Sequence, residues 1–190
     1  GTLTATLAFS GGSSRWDAES ITATWRHEGD GYMLDGDYRY VIDGHTADLL
    51  IVAARAEGTT DDEGISLFLL PAATSGVSRQ WLATMDQARK QAAVQLNGVS
   101  LTADALMGEP GQGWTSLSKI IDLATIALAA EQVGGCQQLL DMTVAYTSER
   151  VQFNRTIASY QAVKHKAADM MLQTEVARSA IYYAACVAQE

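Results

Sequence analysis

Gly108-Glu109-Pro110-Gly111-Gln112-Gly113-Trp114 is where the chain changes its hydrophobic period, and that change decides the fold. Most of the 16 glycines and both prolines stand before Trp114. Upstream, short runs alternate in period two. Ile21-Thr22-Ala23-Thr24-Trp25 places Ile21, Ala23 and Trp25 on one face and the threonines on the other, a strand with one wet side. Gly29-Asp30-Gly31 supplies residues tolerant of positive φ, so 25–27 and 32–34 can pair as a hairpin. Further strands are expected over 38–42, 49–53, 65–70 and 93–96. Short strands at frequent intervals, with no long helical pattern between them, predict an antiparallel β-sandwich or barrel over 1–112.

Downstream of Gly113 the spacing becomes helical. Ile120, Ile121, Leu123, Ala124, Ala127, Leu128, Ala130 and Val133 lead through Gly134-Gly135 to Leu139, Leu140 and Tyr146. Two adjacent glycines inside a helix cost roughly 1 kcal/mol each relative to alanine, and close approach of another helix is the usual compensation. A second helix is expected from Ser159, as N-cap, to the last residue, carrying Val163, Ala167, Met170, Met171, Thr174, Ala177, Ile181 and Tyr182. Arg150-Val151-Gln152-Phe153-Asn154-Arg155-Thr156-Ile157 reads as a polar connection between the two helices. The expected class is α+β: a β domain over 1–112, then two long antiparallel helices over 113–190. Two amphipathic helices cannot cover both their apolar faces, so the bundle is expected to be incomplete.

Composition narrows the function classes. The chain has 190 residues and a net charge of −9, which disfavours non-specific binding to nucleic acid or to an anionic membrane. Hydrophobic residues at 47 % against 18 % charged indicate buried surface and argue against a self-repelling disordered chain. No run of about 18 apolar residues is present, and Gly1-Thr2-Leu3-Thr4-Ala5-Thr6-Leu7 lacks the basic start and apolar core of a signal peptide. Cys136 and Cys186, the only cysteines, fall in helical patterns and suit free thiols in a reducing compartment. A cytoplasmic location is expected.

Ala129-Ala130-Glu131-Gln132-Val133-Gly134-Gly135-Cys136-Gln137-Gln138-Leu139-Leu140-Asp141, with Tyr146, Glu149-Arg150-Val151-Gln152-Phe153 and Tyr160-Gln161-Ala162-Val163-Lys164-His165, resembles the acyl-CoA dehydrogenase family. So do Gly29-Asp30-Gly31-Tyr32-Met33-Leu34-Asp35-Gly36, Leu67-Phe68-Leu69-Leu70-Pro71 and the glycine-rich run ending at Trp114. The resemblance covers essentially the whole chain and implies that family's middle β domain plus the first two helices of its C-terminal four-helix bundle. It further implies FAD as cofactor and an acyl-CoA thioester as substrate, desaturated between its α and β carbons. It implies a homo- or hetero-oligomer, a dimer of dimers, and an electron acceptor of the electron-transfer-flavoprotein type.

Carried over residue by residue, the resemblance gives Arg150 to the FAD pyrophosphate, which a guanidinium fork suits. Phe153 goes to the adenine, and Gln152 and Gln161 offer amide hydrogen bonds to the cofactor. Without the resemblance, Arg150 reads first as a helix C-cap interacting with the dipole. Asn154 and Thr156 stand where a glycine and a proline are usual. On the flavin-facing strand the family offers Trp, a hydrophobic residue, then Thr or Ser; here these are Tyr40-Val41-Ile42. Ile42 cannot make the side-chain hydrogen bond. Tyr40 either packs as an aromatic or replaces the tryptophan ring. Gly11 and Gly12, in an altered loop, could turn backbone N–H groups toward a phosphate or flavin edge. Asp122 is nearest the substrate's CoA portion; as a base it is the lesser reading, and no catalytic base is assigned. Three functions stay open: an acyl-CoA dehydrogenase or part of one, a non-catalytic partner subunit contributing to another chain's FAD site, and a remnant without ligand.

Other patterns point elsewhere. His27, His45 and His165 lack metal-ligand spacing, so no metal is expected. Thr59-Thr60-Asp61-Asp62-Glu63-Gly64 lacks a calcium loop's alternation, and 108–113 lacks the ending of a nucleotide P-loop. Met170-Met171 reads as core filling.

Overall fold

The computed structural model describes residues 1–13 and 15–189; Ser14, in the altered loop, and Glu190 lie outside the described residues. Two compact units result, Gly1–Lys119 and Ile120–Glu190.

The first unit is built on one eight-stranded sheet. Its strands are β1 (Ala5–Ala8), β2 (Thr24–Glu28), β3 (Gly31–Ile42), β4 (Leu49–Ala56), β5 (Ile65–Pro71), β6 (Val77–Leu82), β7 (Gln91–Leu101) and β8 (Leu106–Met107). They follow the order β6-β7-β3-β2-β4-β5-β8, with β1 added beside β4. The ladders are antiparallel except for β1–β4 and β2–β4, which run parallel, and β6 and β8 end the path without closing a barrel. The hairpin read from Gly29-Asp30-Gly31 is present: Trp25 pairs with Leu34 and His27 with Tyr32, and Gly29 turns at φ +58°. Ile21, Ala23 and Trp25 are buried as their alternation predicts, although the ladder begins only at Thr24. The stretch 38–42 is not a separate strand but the far end of β3. β6 escapes pattern reading because most of its residues are exposed, and β1 because its four residues do not alternate between two faces.

Aromatic rings fill the core. Trp25, Tyr32 and Phe68 meet edge to face with centroids 5.1 to 6.1 Å apart, geometry favoured by the ring quadrupoles. The Trp25 indole N–H donates to the Gly64 carbonyl at 2.9 Å, and the buried Tyr38 hydroxyl donates to the Ala53 carbonyl at 3.0 Å. Gly36 makes one close approach possible, since a Cβ there would stand 2.4 Å from the Ala23 Cβ. His27 stacks on this cluster, with its ring 5.1 Å from that of Tyr32.

Two helices dominate the rest of the chain, α1 (Gly113–Glu149) and α2 (Gln161–Val187). Ser159 is not the N-cap. It sits in a 3-10 turn and donates its hydroxyl to the Thr156 carbonyl at 2.7 Å, and Tyr160 takes the cap position without a side-chain bond to the first turn of the helix. Arg178 ties the helices together by donating to the Gln137 side chain at 2.6 Å, while Gln137 donates to Asp141 at 2.9 Å. Beside this link runs a groove of about 560 Å³ lined by Leu140, Val144, Ala167 and Met171. Met171 is therefore not core filling: it is 59 % exposed on the groove wall because no described residue covers it. The close helix approach expected at Gly134-Gly135 is not found among the described residues; a Cβ on either would meet nothing within 4 Å. Leu139, Met142 and Tyr146 of α1 and Leu172, Val176 and Tyr182 of α2 are likewise exposed. Cys136 and Cys186 are free and exposed. Among the described residues no helix is long and apolar enough to cross a membrane.

Candidate functional site

The segment between the helices, read from sequence as a plain polar connection, is a hairpin. β9 (Val151–Gln152) and β10 (Arg155–Thr156) pair Gln152 with Arg155 and Val151 with Thr156. Phe153 and Asn154 form the two-residue turn at φ +51° and +63°. Two consecutive positive φ values are the signature of a type I′ turn, whose twist matches the strands it joins. Asparagine is the residue after glycine that tolerates this region best, so Asn154 suits the second turn position. The replacement of proline by Thr156 restores a backbone N–H to the second strand.

This turn decides what Phe153 can do. Its ring is 88 % exposed at the tip, with no described residue packed over it. Arg150 closes α1 through its main chain, its N–H donating to the Tyr146 carbonyl at 2.9 Å. Its exposed guanidinium has no hydrogen bond or ion pair among the described residues, so the C-cap role is carried by backbone and the fork is left over. Gln152 and Gln161 are also exposed. Tyr160 braces the hairpin by donating its hydroxyl to the Gln152 carbonyl at 3.1 Å. An unpaired guanidinium, two carboxamides and a bare aromatic face form a donor set that fits a diphosphate joined to a purine. Arg155 and Tyr160 are not evident as a pair in the sequence; the Phe153-Asn154 turn signal is what would reveal them.

Of the other predicted residues, Tyr40 and Ile42 lie on β3 of the first unit, Gly11 lies ahead of β2, and Asp122 lies on α1. Tyr38 pairs with Val94 and Val41 with Ala92, so three steps on β3 oppose two on β7. This bulge holds Tyr40 at φ +63°, a strained conformation for a bulky residue. The bulge turns Tyr40 out of the core, and at 53 % exposed it is not a packed aromatic. Ile42 is 48 % exposed and presents only hydrocarbon. This strand does not fit a cofactor edge that needs a hydroxyl. Gly11 does not offer its N–H either, because that group donates to the Ser20 carbonyl at 2.9 Å. Asp122 is exposed on α1 and makes no hydrogen bond or ion pair among the described residues. No group of three His, Cys, Asp or Glu side chains capable of holding a metal occurs among the described residues.

An open, largely antiparallel sheet unit, then a long helix, an exposed hairpin and a second long helix define the middle and C-terminal architecture of an acyl-CoA dehydrogenase. Comparison agrees. Residues 6–99 match the family description "Acyl-CoA dehydrogenase, middle domain" and residues 111–190 match "Acyl-CoA dehydrogenase, C-terminal domain". The short-chain specific acyl-CoA dehydrogenase of Megasphaera elsdenii is 31 % identical over 163 residues, 84 % of this chain and 42 % of that protein. Acyl-CoA dehydrogenase IpdE2 of Mycobacterium tuberculosis is 34 % identical over 182 residues, 95 % of this chain and 48 % of that protein. The structure of butyryl-CoA dehydrogenase from Megasphaera elsdenii superposes with a TM-score of 0.87 at 27 % identity, covering 97 % of this chain and 49 % of that one. The chain belongs to the acyl-CoA dehydrogenase family. It spans less than half the length of these relatives.

Proposed function

We propose that this chain is part of an FAD-dependent acyl-CoA dehydrogenase that desaturates an acyl-CoA thioester between its α and β carbons. One observation carries the reading: the hairpin after α1 leaves the Arg150 fork unpaired and the Phe153 ring bare in a chain whose other aromatic residues include a well-packed core cluster. Arg150 binds the cofactor's diphosphate, Phe153 lies against its adenine, and Gln152 and Gln161 hydrogen-bond its polar edges. Bound FAD supplies an acceptor for the hydride leaving the β carbon. Asp122 contributes toward the CoA portion of the substrate. The assembly is an oligomer, a dimer of dimers, located in the cytoplasm and passing electrons to an acceptor of the electron-transfer-flavoprotein type.

A second reading is favoured by one specific feature, the hydrocarbon side chain of Ile42 on the strand where the family offers a hydroxyl. On that reading the chain is a non-catalytic subunit that lends Arg150 and Phe153 to a flavin seated mainly on a partner. Purifying the full-length parent alone and with candidate partners separates the two. Visible flavin absorbance from the lone chain supports the first, and colour only with a partner supports the second. Arg150→Ala should weaken FAD binding by about tenfold while the melting temperature of the apoprotein stays unchanged. Unaltered binding would remove the basis of both readings.

A further inference from the structure

Arg155 is a residue that neither motif nor family resemblance singles out. The hairpin register does. Beyond the pairs Gln152–Arg155 and Val151–Thr156, the Ile157 N–H donates to the Arg150 carbonyl at 2.8 Å, so the ladder continues one step further. Alternation along such a ladder puts Arg150, Gln152 and Arg155 on one face, with Val151 and Thr156 on the other. The Arg155 guanidinium lies 3.8 Å from the centroid of the Tyr160 ring, and Tyr160 is itself fixed by its bond to the Gln152 carbonyl. A guanidinium stacked by its flat face keeps its in-plane N–H edge for acceptors, and its orientation is set before any ligand arrives. Arg155 has no carboxylate partner among the described residues. The local charge agrees: between Met142 and Ala168 stand Arg150, Arg155, Lys164 and Lys166 against Glu149 alone, in a chain whose net charge is −9.

We infer that Arg155, held flat on Tyr160, is a second guanidinium beside Arg150 on one anion-binding hairpin face that takes the adenosine diphosphate moiety of a dinucleotide. The inference rests on the reading of Arg150 and Phe153 given above and adds a fork for the second phosphate. Two guanidiniums across a carboxamide match two linked phosphates better than one does. Adenosine diphosphate is common to FAD and to coenzyme A, so the test treats the two separately.

The full-length apoprotein, with any subunit it requires, is titrated with FAD in the presence and absence of ADP, across a range of ionic strength, and separately with coenzyme A. Arg155→Ala should raise the FAD dissociation constant about tenfold and flatten its salt dependence, as should Arg150→Ala. Tyr160→Leu should reproduce part of the loss, Tyr160→Phe very little, and Arg155→Lys should restore the salt dependence. Arg155→Gln serves the same purpose should the alanine variant fold poorly. A purely structural role would leave the salt dependence at its parental slope. If Arg150→Ala weakens FAD binding and neither Arg155→Ala nor Arg155→Gln changes the affinity or its salt slope, the inference fails and the Arg150 reading stands. If FAD binding survives every substitution but coenzyme A binding falls, the face holds coenzyme A, and it is the flavin assignment of Arg150 that fails. If neither ligand responds to any of them, both are overturned.

Discussion

At the scale of single residues, Tyr38 shows how burial and a hydrogen bond act together. Its hydroxyl is sealed from water, and desolvation raises its pKa well above the ordinary phenol value near 10. The unfolded chain therefore gives up this proton first. The contribution to stability is fully present below pH 10 and is lost as pH climbs from there toward the folded value. Tyr38→Phe should cost about 1 kcal/mol at neutral pH through the lost bond to Ala53, and should make denaturant unfolding less sensitive to pH above 10. Residue identity is also where the sequence is most informative about the site. The hydrocarbon of Ile42 and the fork of Arg150 are chemical facts needing no fold. The exposure of Tyr40 is different, since the bulge that turns it outward has no glycine or proline to announce it.

Among elements, legibility follows the contrast between two faces. The β2–β3 hairpin is readable because one side is apolar, the other wet, and a glycine marks the turn. β6 is not, because as an edge strand it has little buried surface to write a pattern. The β9–β10 hairpin is shorter still, and only its turn residues betray it. Those residues carry a prediction: at φ +63°, Asn154→Val should destabilise the helical unit by about 1 to 2 kcal/mol, and Asn154→Gly should be neutral or stabilising. Thermal melts of the two variants check the ordering. Helix α1 is legible by period from Ile120 onward, yet the neighbour expected at Gly134-Gly135 is not found among the described residues, since spacing says nothing about which face finds one.

For the whole molecule the contrast lies between a first unit with a sealed aromatic core and a second whose two helices leave Leu139, Met142, Leu172 and Val176 in water. Several large apolar side chains exposed on two helices mark a candidate interaction face. This chain should therefore enhance the fluorescence of a hydrophobic dye strongly, and Leu172→Glu with Val176→Glu should weaken that response. No enhancement, or no change on substitution, would mean that these faces are not open in solution. The division into a sheet unit and a helical unit is legible from the distribution of turn residues, because both prolines and all the glycines but Gly134 and Gly135 stand in the first part of the chain.

The kinked step at Tyr40 outlasts the side chain that occupies it. A ladder holding one residue too many cannot be straightened by exchanging one amino acid for another, so the scaffold for a different chemistry is still in place. Tyr40→Trp with Ile42→Thr would refit the strand with the groups that the family resemblance calls for there, without rebuilding any backbone.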